Sequence, residues 1–387
     1  MKVALVHDYL NEYGGAERVL EVLCEIFPKA PIYTAFYKKG SPAYKRFVDT
    51  KSFSSNKRFK GRKIITSWTQ NVPFFASRLH SPLRFLAPLI WNSFDFSKYD
   101  LVITSSSWYV TKGLVKRKTT NDKRKTVEVC YCHTPPRYLY GYPTAKKQKG
   151  FLIKTYALLV NHFMRVYDFE AAQRVDYFIA NSKEVAARIK KFYRRDSTVI
   201  YPPVDLPKVP EAGKQDYFLI VSRIVGAKGL QLAIDTANKL GFKLKVVGKE
   251  AGYAGEYQKI KSVAGRNVEF LGYVSDSELA KLYSRARASL ALATDEDFGI
   301  TPVEAMLCGT PVIAYKGGGY LESVVDGKTG VFFSPDTAGS LTLAINKFLQ
   351  LEKKGAFDPK FIRKYAQKFS KERFKKEILK FAQSKVK

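Results

Sequence analysis

Short apolar runs alternate with amphipathic stretches along nearly the whole chain, and this alternation limits the fold more than any other feature. Val3–Asp8 predicts a strand, and Ala16–Phe27 has the spacing of an amphipathic helix. Strands follow at Leu101–Thr104, Val127–Cys130 and Tyr177–Ala180, with helical material from Leu152 to Gln173. The proline-rich stretch Tyr201–Pro210 then breaks the series and reads as a linker. A second series starts at Phe218–Val221 and continues through strands at Lys243–Val247, Val268–Leu271, Leu290–Ala293 and Val312–Ala314. Alternating strands and helices imply an α/β protein with parallel sheets. At 387 residues the chain can bury two cores.

Composition narrows the setting. A hydrophobic content of 45% fits a globular protein. No run reaches the roughly eighteen apolar residues of a membrane span. Met1–Val6 runs directly into the first strand, leaving no room for a signal peptide, and four cysteines are too few and scattered for a disulfide framework. The cytoplasm is the expected compartment.

The net charge of +31 calls for an anionic partner, either nucleic acid or an anionic membrane surface. No acidic residue lies between Asp49 and Asp95, whereas Lys51, Lys57, Arg58, Lys60, Arg62, Lys63, Arg78 and Arg84 do, interleaved with Phe53, Phe59, Trp68, Phe74, Phe75, Phe85 and Trp91. Such a segment suits anionic lipid, with Lys57, Arg58, Lys60, Arg62, Lys63 and Trp68 at the surface. It equally suits base stacking, or a core with a solvated basic face. The aromatic stripe of Lys360–Lys387 is expected to pack against the body.

The stretch from Glu296 to Glu304 carries the chemistry. It follows the apolar run Ala288–Ala293, so Glu296 falls in a strand-to-helix loop. Thr301 reads as the N-cap, Pro302 as a first-turn residue and Glu304 as the third position of a capping box. Both carboxylates then sit at the carboxyl end of a sheet, where open α/β folds bind ligands, and carboxylates there suit paired hydroxyls. Glu304 alone is equally explained as a cap. Two glutamates enclosing seven residues, followed by Gly309-Thr310-Pro311-Val312, resemble the signature of the retaining glycosyltransferases of family 4, which have two Rossmann-like domains.

The resemblance implies the GT-B fold, with two Rossmann-like parallel-sheet domains facing across a cleft. The expected domains are 1–205 for the acceptor, 206–358 for the nucleotide sugar, and a helical segment 359–387 packing back toward the first domain. It implies that Glu296 contacts the transferred sugar and Glu304 the nucleotide ribose, with further donor contacts at Phe298, Gly299 and Ile300. In the Ser222–Gly229 loop, Arg223 and Lys228 are implied to stabilise the leaving diphosphate, whose charge grows in the transition state. Surface cations are the plainer alternative there. Gly14 and Gly15 precede a helix, where backbone can approach an anion, or simply turn; the family places a Gly-Gly loop near the donor phosphates. His133, in Cys132-His133-Thr134-Pro135, is implied to approach the donor sugar, and its neighbours resemble the mannosyltransferase-like branch.

Cys130, Cys132 and His133 lack the fourth ligand and spacing of a closed zinc site. Asp295-Glu296-Asp297 superficially matches a metal motif of another glycosyltransferase class, but the Arg223 and Lys228 pair offers cationic neutralisation without metal. The expected reaction is metal-independent, retaining transfer of a hexose from a nucleotide sugar, with no cofactor. GDP-mannose is the favoured donor and a lipid-linked glycan in surface polysaccharide or glycolipid synthesis the favoured acceptor, at the cytoplasmic face of an anionic membrane. UDP-sugar transfer, sugar-nucleotide epimerisation and nucleic-acid binding are the alternatives, the last disfavoured by glutamates in the main cleft.

Overall fold

Each apolar run of the two series becomes a strand of a parallel sheet. The computed structural model of the chain describes residues 1–49, 62–115, 126–144, 150–210, 213–224, 228–249 and 256–386. Lys57, Arg58 and Lys60 lie outside the described residues. The chain divides into two units: Met1–Tyr142, Gln148–Pro203 and Lys371–Lys387 form one, Pro143–Lys147 and Val204–Ser370 the other.

The first unit runs β1 (Val3–His7), α1 (Gly15–Ile26), β2 (Ile32–Thr34), β3 (Ile64–Thr66), α2 (Ala87–Asn92), β4 (Leu101–Ser106), β5 (Val127–Cys132), α3 (Phe151–Arg174), β6 (Tyr177–Ala180), α4 (Lys183–Tyr193) and β7 (Ser197–Val199). Its sheet has the order β3-β2-β1-β4-β5-β6-β7, all pairs parallel. Strand side chains alternate between faces. Val3, Leu5, Leu101, Ile103, Val129 and Tyr131 therefore share a core with Leu20 and Leu23 of α1. Ala4, Val6 and Val102 pack on the other side with Phe36, Phe75, Trp91 and Met164.

This packing revises the reading of the basic-aromatic segment. Phe75 and Trp91 are core residues, while Trp68, Phe74, Phe85 and Leu89 are exposed. Arg62 is committed to structure: its guanidinium donates to the carbonyls of Cys24, Phe27 and Ala30 and clamps the chain between α1 and β2. Lys63 is exposed.

The second unit runs β8 (Phe218–Val221), α5 (Leu230–Leu240), β9 (Leu244–Val247), α6 (Glu256–Ser262), β10 (Val268–Gly272), α7 (Asp276–Arg285), β11 (Ala288–Ala291), α8 (Ile300–Leu307), β12 (Val312–Tyr315), α9 (Tyr320–Ser323), β13 (Gly330–Phe333), α10 (Ala338–Lys353) and α11 (Pro359–Ala366). The sheet order is β10-β9-β8-β11-β12-β13, again parallel throughout. Both sheets thus reverse direction beside their first strand, between β1 and β4 and between β8 and β11. Loops leaving the carboxyl ends of those strands line the place where open α/β sheets take ligands.

The C-terminal stretch is shared between the units. α11 stays with the second, where the Arg363 side chain lies against Gly309. α12 (Lys371–Lys385) joins the first, burying Phe374, Ile378 and Ala382 in the α1 core. Burying Phe374 and Ile378 contributes roughly 1.5–3 kcal/mol each. The stripe therefore packs inward, except that Phe361 remains exposed. The ends of the second unit meet: Val204 bridges Ser370, and the Val204 N–H donates to the Phe369 carbonyl at 3.0 Å.

Candidate functional site

In the second unit the two loops at the sheet reversal bring Lys228 and Glu296 together. Lys228 follows β8 and Glu296 follows β11, and the Lys228 Nζ donates to Glu296 Oε2 at 2.6 Å. Both side chains are half-buried, so the pair is better insulated than a surface ion pair. Lysine has three N–H donors, and one bond to Glu296 leaves the others for an anion. Arg223 leaves the same strand and is exposed.

Glu296 is held from a direction that sequence reasoning missed. The Gly319 N–H donates to the Glu296 carbonyl at 2.9 Å, and the Tyr320 hydroxyl stands 3.5 Å from Glu296 Oε2. The contact between the two loops is backbone on backbone: a Cβ on Gly319 would lie 2.3 Å from Phe298 Cα, and one on Gly318 2.4 Å from the Glu296 carbonyl oxygen. Burial, with Glu296 beside it, raises the Tyr320 phenol well above its ordinary range, so it stays protonated. The run Gly317-Gly318-Gly319 leads into α9, and nothing in the sequence ties it to Glu296.

The helix after Glu296 begins earlier than expected. α8 starts at Ile300 with Gly299 as its N-cap at φ 83°, so Thr301 and Pro302 are already helical and Glu304 is past the capping-box position. Glu304 is buried and accepts a hydrogen bond from the Tyr283 hydroxyl at 3.2 Å. The Phe298 side chain also turns inward, packing on Phe369 with ring centroids 5.3 Å apart. Ile300 is half-buried.

In the first unit, β1, β4 and β5 end in a chain of polar groups. Ser105 Oγ lies 2.8 Å from His133 Nε2 and 3.0 Å from His7 Nδ1, while His7 Nε2 lies 3.4 Å from Glu17 Oε1. With His7 neutral, one arrangement of protons satisfies all three contacts: His133 Nε2–H donates to Ser105, Ser105 to His7 Nδ1, and His7 Nε2–H to Glu17. His133 Nδ1 is then its lone-pair nitrogen. Glu17 also accepts the Gly14 N–H at 2.8 Å, closing a cap on α1. Gly14 has an extended backbone, and a Cβ there would meet Glu17 Oε2 at an ordinary 3.5 Å. Neither the turn nor the packing requires glycine at that position. Asp8 organises the neighbouring loop, accepting from the Ser107 and Trp108 N–H groups at 3.1 and 2.6 Å. Cys130 and Cys132 are buried in the sheet, and burial pushes the Cys130 thiol up to about 12.

Burial, with His7 beside it, holds His133 down at about 4, so its imidazole is neutral at pH 7. An unfolded histidine takes a proton near pH 6.5. The unfolded chain therefore binds more protons between these values, and the stability owed to His133 is complete above about pH 6.5 and lost as pH falls toward 4. Urea unfolding midpoints across this window should fall less steeply in His133→Gln than in the wild type. Equal slopes would mean that His133 titrates in the folded chain as it does unfolded.

Comparison with known proteins agrees with this architecture. Residues 13–208 match "Glycosyltransferase Family 4" and residues 204–369 match "Glycosyl transferases group 1". The α-1,3/1,6-mannosyltransferase ALG2 of Dictyostelium discoideum is 31% identical over 326 residues, covering 70% of this chain and 72% of that protein. The Schizosaccharomyces pombe α-1,3/1,6-mannosyltransferase alg2 is 30% identical over 247 residues, which is 52% of this chain; the chain spans 47% of that relative, about half its length. Among solved structures, a sucrose-phosphate synthase from Thermosynechococcus elongatus superposes with a TM-score of 0.73 at 18% identity, covering 99% of both chains. Anabaena Alr3699/HepE, in complex with UDP and glucose, gives 0.73 at 20% identity over 99% of this chain and 100% of that one. At such identities the likeness speaks for the fold, which is GT-B. With two parallel α/β units and matches running from residue 13 to residue 369, the chain belongs to glycosyltransferase family 4.

Proposed function

We propose that the protein is a retaining hexosyltransferase that moves mannose from GDP-mannose to a lipid-linked glycan at the cytoplasmic face of a membrane. The observation that carries this reading is the Lys228–Glu296 pair at the sheet reversal of the second unit, a cation and a carboxylate within 2.6 Å of each other. A diphosphate needs the first and a sugar hydroxyl the second. The similarity to proteins named as mannosyltransferases supports the choice of sugar.

In this mechanism the acceptor oxygen attacks the anomeric carbon from the face that the diphosphate leaves. The bond to the phosphate oxygen breaks with its electron pair, and that oxygen takes the acceptor's proton. Lys228 and Arg223 neutralise the charge that builds there, and no metal is required. Glu296 orients the transferred sugar, with Glu304 near the ribose and the backbone of Phe298, Gly299 and Ile300 along the donor. In the first unit, Gly14 and Gly15 offer backbone to an anion, and the lone pair of His133 Nδ1 accepts a hydroxyl hydrogen.

The test is a thermal-shift panel of GDP, UDP and ADP and their common sugar conjugates, run with a chelator present. A ligand at a hundred times its Kd stabilises by about 2.7 kcal/mol, a shift of a few degrees. A GDP-selective shift that survives the chelator and is lost in Arg223→Ala is expected. A UDP-selective shift would replace the donor, a shift restored only by a divalent ion would replace the metal-free chemistry, and no shift at all would sink the site.

A further inference from the structure

α3 shows solvent the side chains that most surface helices hide. Its inner face is firmly held: Ala157, Met164, Asp168 and Ala171 are buried. Asp168 pairs with buried Lys112 and accepts the Tyr140 hydroxyl at 2.7 Å. The Arg84 guanidinium donates to Asn161 Oδ1 at 2.7 Å, and the Tyr156 hydroxyl donates to the Pro82 carbonyl. The opposite face is apolar. Leu152, Leu159, Phe163 and Val166 recur at helical spacing there, 81%, 57%, 70% and 49% exposed. Phe151 is exposed at the start of the helix, and the adjoining segment adds Phe74, Phe85 and Leu89.

Charge identifies the occupant. No acidic residue occurs between Glu128 and Asp168, or between Asp49 and Asp95. The Tyr156–Pro82 and Arg84–Asn161 bonds bring these two acid-free stretches side by side. Lys154 and Arg78 are exposed among the apolar side chains. Apolar groups with cations and no carboxylate beside them from Phe151 to Tyr167, the exposed Glu170 lying one turn beyond, match an anionic lipid interface, where the side chains enter the acyl boundary and the cations meet headgroups. A second copy of a chain carrying +31 would instead meet like charge. Among the described residues no helix is long and apolar enough to cross a membrane.

We propose that the outer face of α3, with the neighbouring segment 74–89, docks the protein on anionic lipid. This deepens the reading of a lipid-linked acceptor, on which it rests for its purpose; lipid binding itself requires no turnover. Flotation with phosphatidylglycerol-containing vesicles tests it against pure phosphatidylcholine. The wild type should float with the anionic vesicles, and Leu159→Glu/Phe163→Glu should lose about tenfold or more of its bound fraction. Should that variant fail to fold, Phe163→Trp reads the same contact, its emission moving to the blue when anionic vesicles are added. The nucleotide thermal shift, measured on the same proteins, should be unchanged, so loss of the donor reading and loss of the docking reading are separable. A wild type that stays with neither vesicle, a double-glutamate variant that floats equally well, or a tryptophan whose emission does not move would overturn the proposal. So would a dimer of the wild type that the double substitution converts to monomer, since a second copy would then cover this face.

Discussion

Lys228→Ala is expected to lower turnover about a hundredfold or more, the scale of removing one preorganised donor from a site of growing charge. The loss has two parts. One is the missing cation at the departing diphosphate. The other is Glu296, which loses its 2.6 Å partner and leaves an uncompensated carboxylate where the proposed function seats the diphosphate. Glu296→Ala should cost a similar factor, because Lys228 then loses the bond that holds its long side chain in place. The two groups act as a unit, so the double variant should lose little more than either single variant. Steady-state kinetics on the three proteins checks this. Losses that multiply would mean independent roles, and near-normal turnover in both singles would remove the pair from the chemistry.

Gly319→Ala should be nearly as damaging, although glycine has no side chain to offer the chemistry. The added methyl would lie 2.3 Å from Phe298 Cα and 2.6 Å from the Phe298 carbonyl oxygen. Those neighbours are backbone and cannot rotate away, so the Glu296–Phe298 loop itself must move. Overpacking of this kind costs about 1–3 kcal/mol, and a displacement near 1 Å at a reacting group costs about a hundredfold in rate. A fall of several degrees in Tm together with loss of kcat is expected. Gly339→Ala, in α10 with nothing within 4 Å of the new methyl, is the control and should lower neither. Wild-type kcat in Gly319→Ala would show that the loop can yield without moving Glu296.

Much of the scaffold was legible because parallel strands buried on both faces read as continuous apolar runs. Val3–His7, Tyr177–Ala180 and Phe218–Val221 lie where those runs predict. β2, β3 and β7 escaped notice because each has only three residues, too few for any periodicity to register. Lys228 and Glu296 could be named from their motifs, yet their pairing joins residues 68 apart in sequence and is a property of strand order. Ser105 escaped for the same reason: a lone serine at the end of a strand carries no signal until β4 lies between β1 and β5. The start of α8 was misplaced because Thr301 and Pro302 make a good local cap, whereas Gly299, with its left-handed backbone, turns the chain two residues earlier. For α3, composition could not say which apolar face the sheet would cover and which it would leave open.

The bridge between Val204 and Ser370 makes the second unit, apart from the short segment Pro143–Lys147, an insertion whose two ends emerge side by side. A stretch with that geometry can be exchanged as a cassette: the host chain sees the same short gap whatever fills it. The family match at 204–369 begins at the first of these residues and stops just short of the second. A chimera joined at this seam would exchange the second unit's sheet as one piece and leave the sheet of the first uncut.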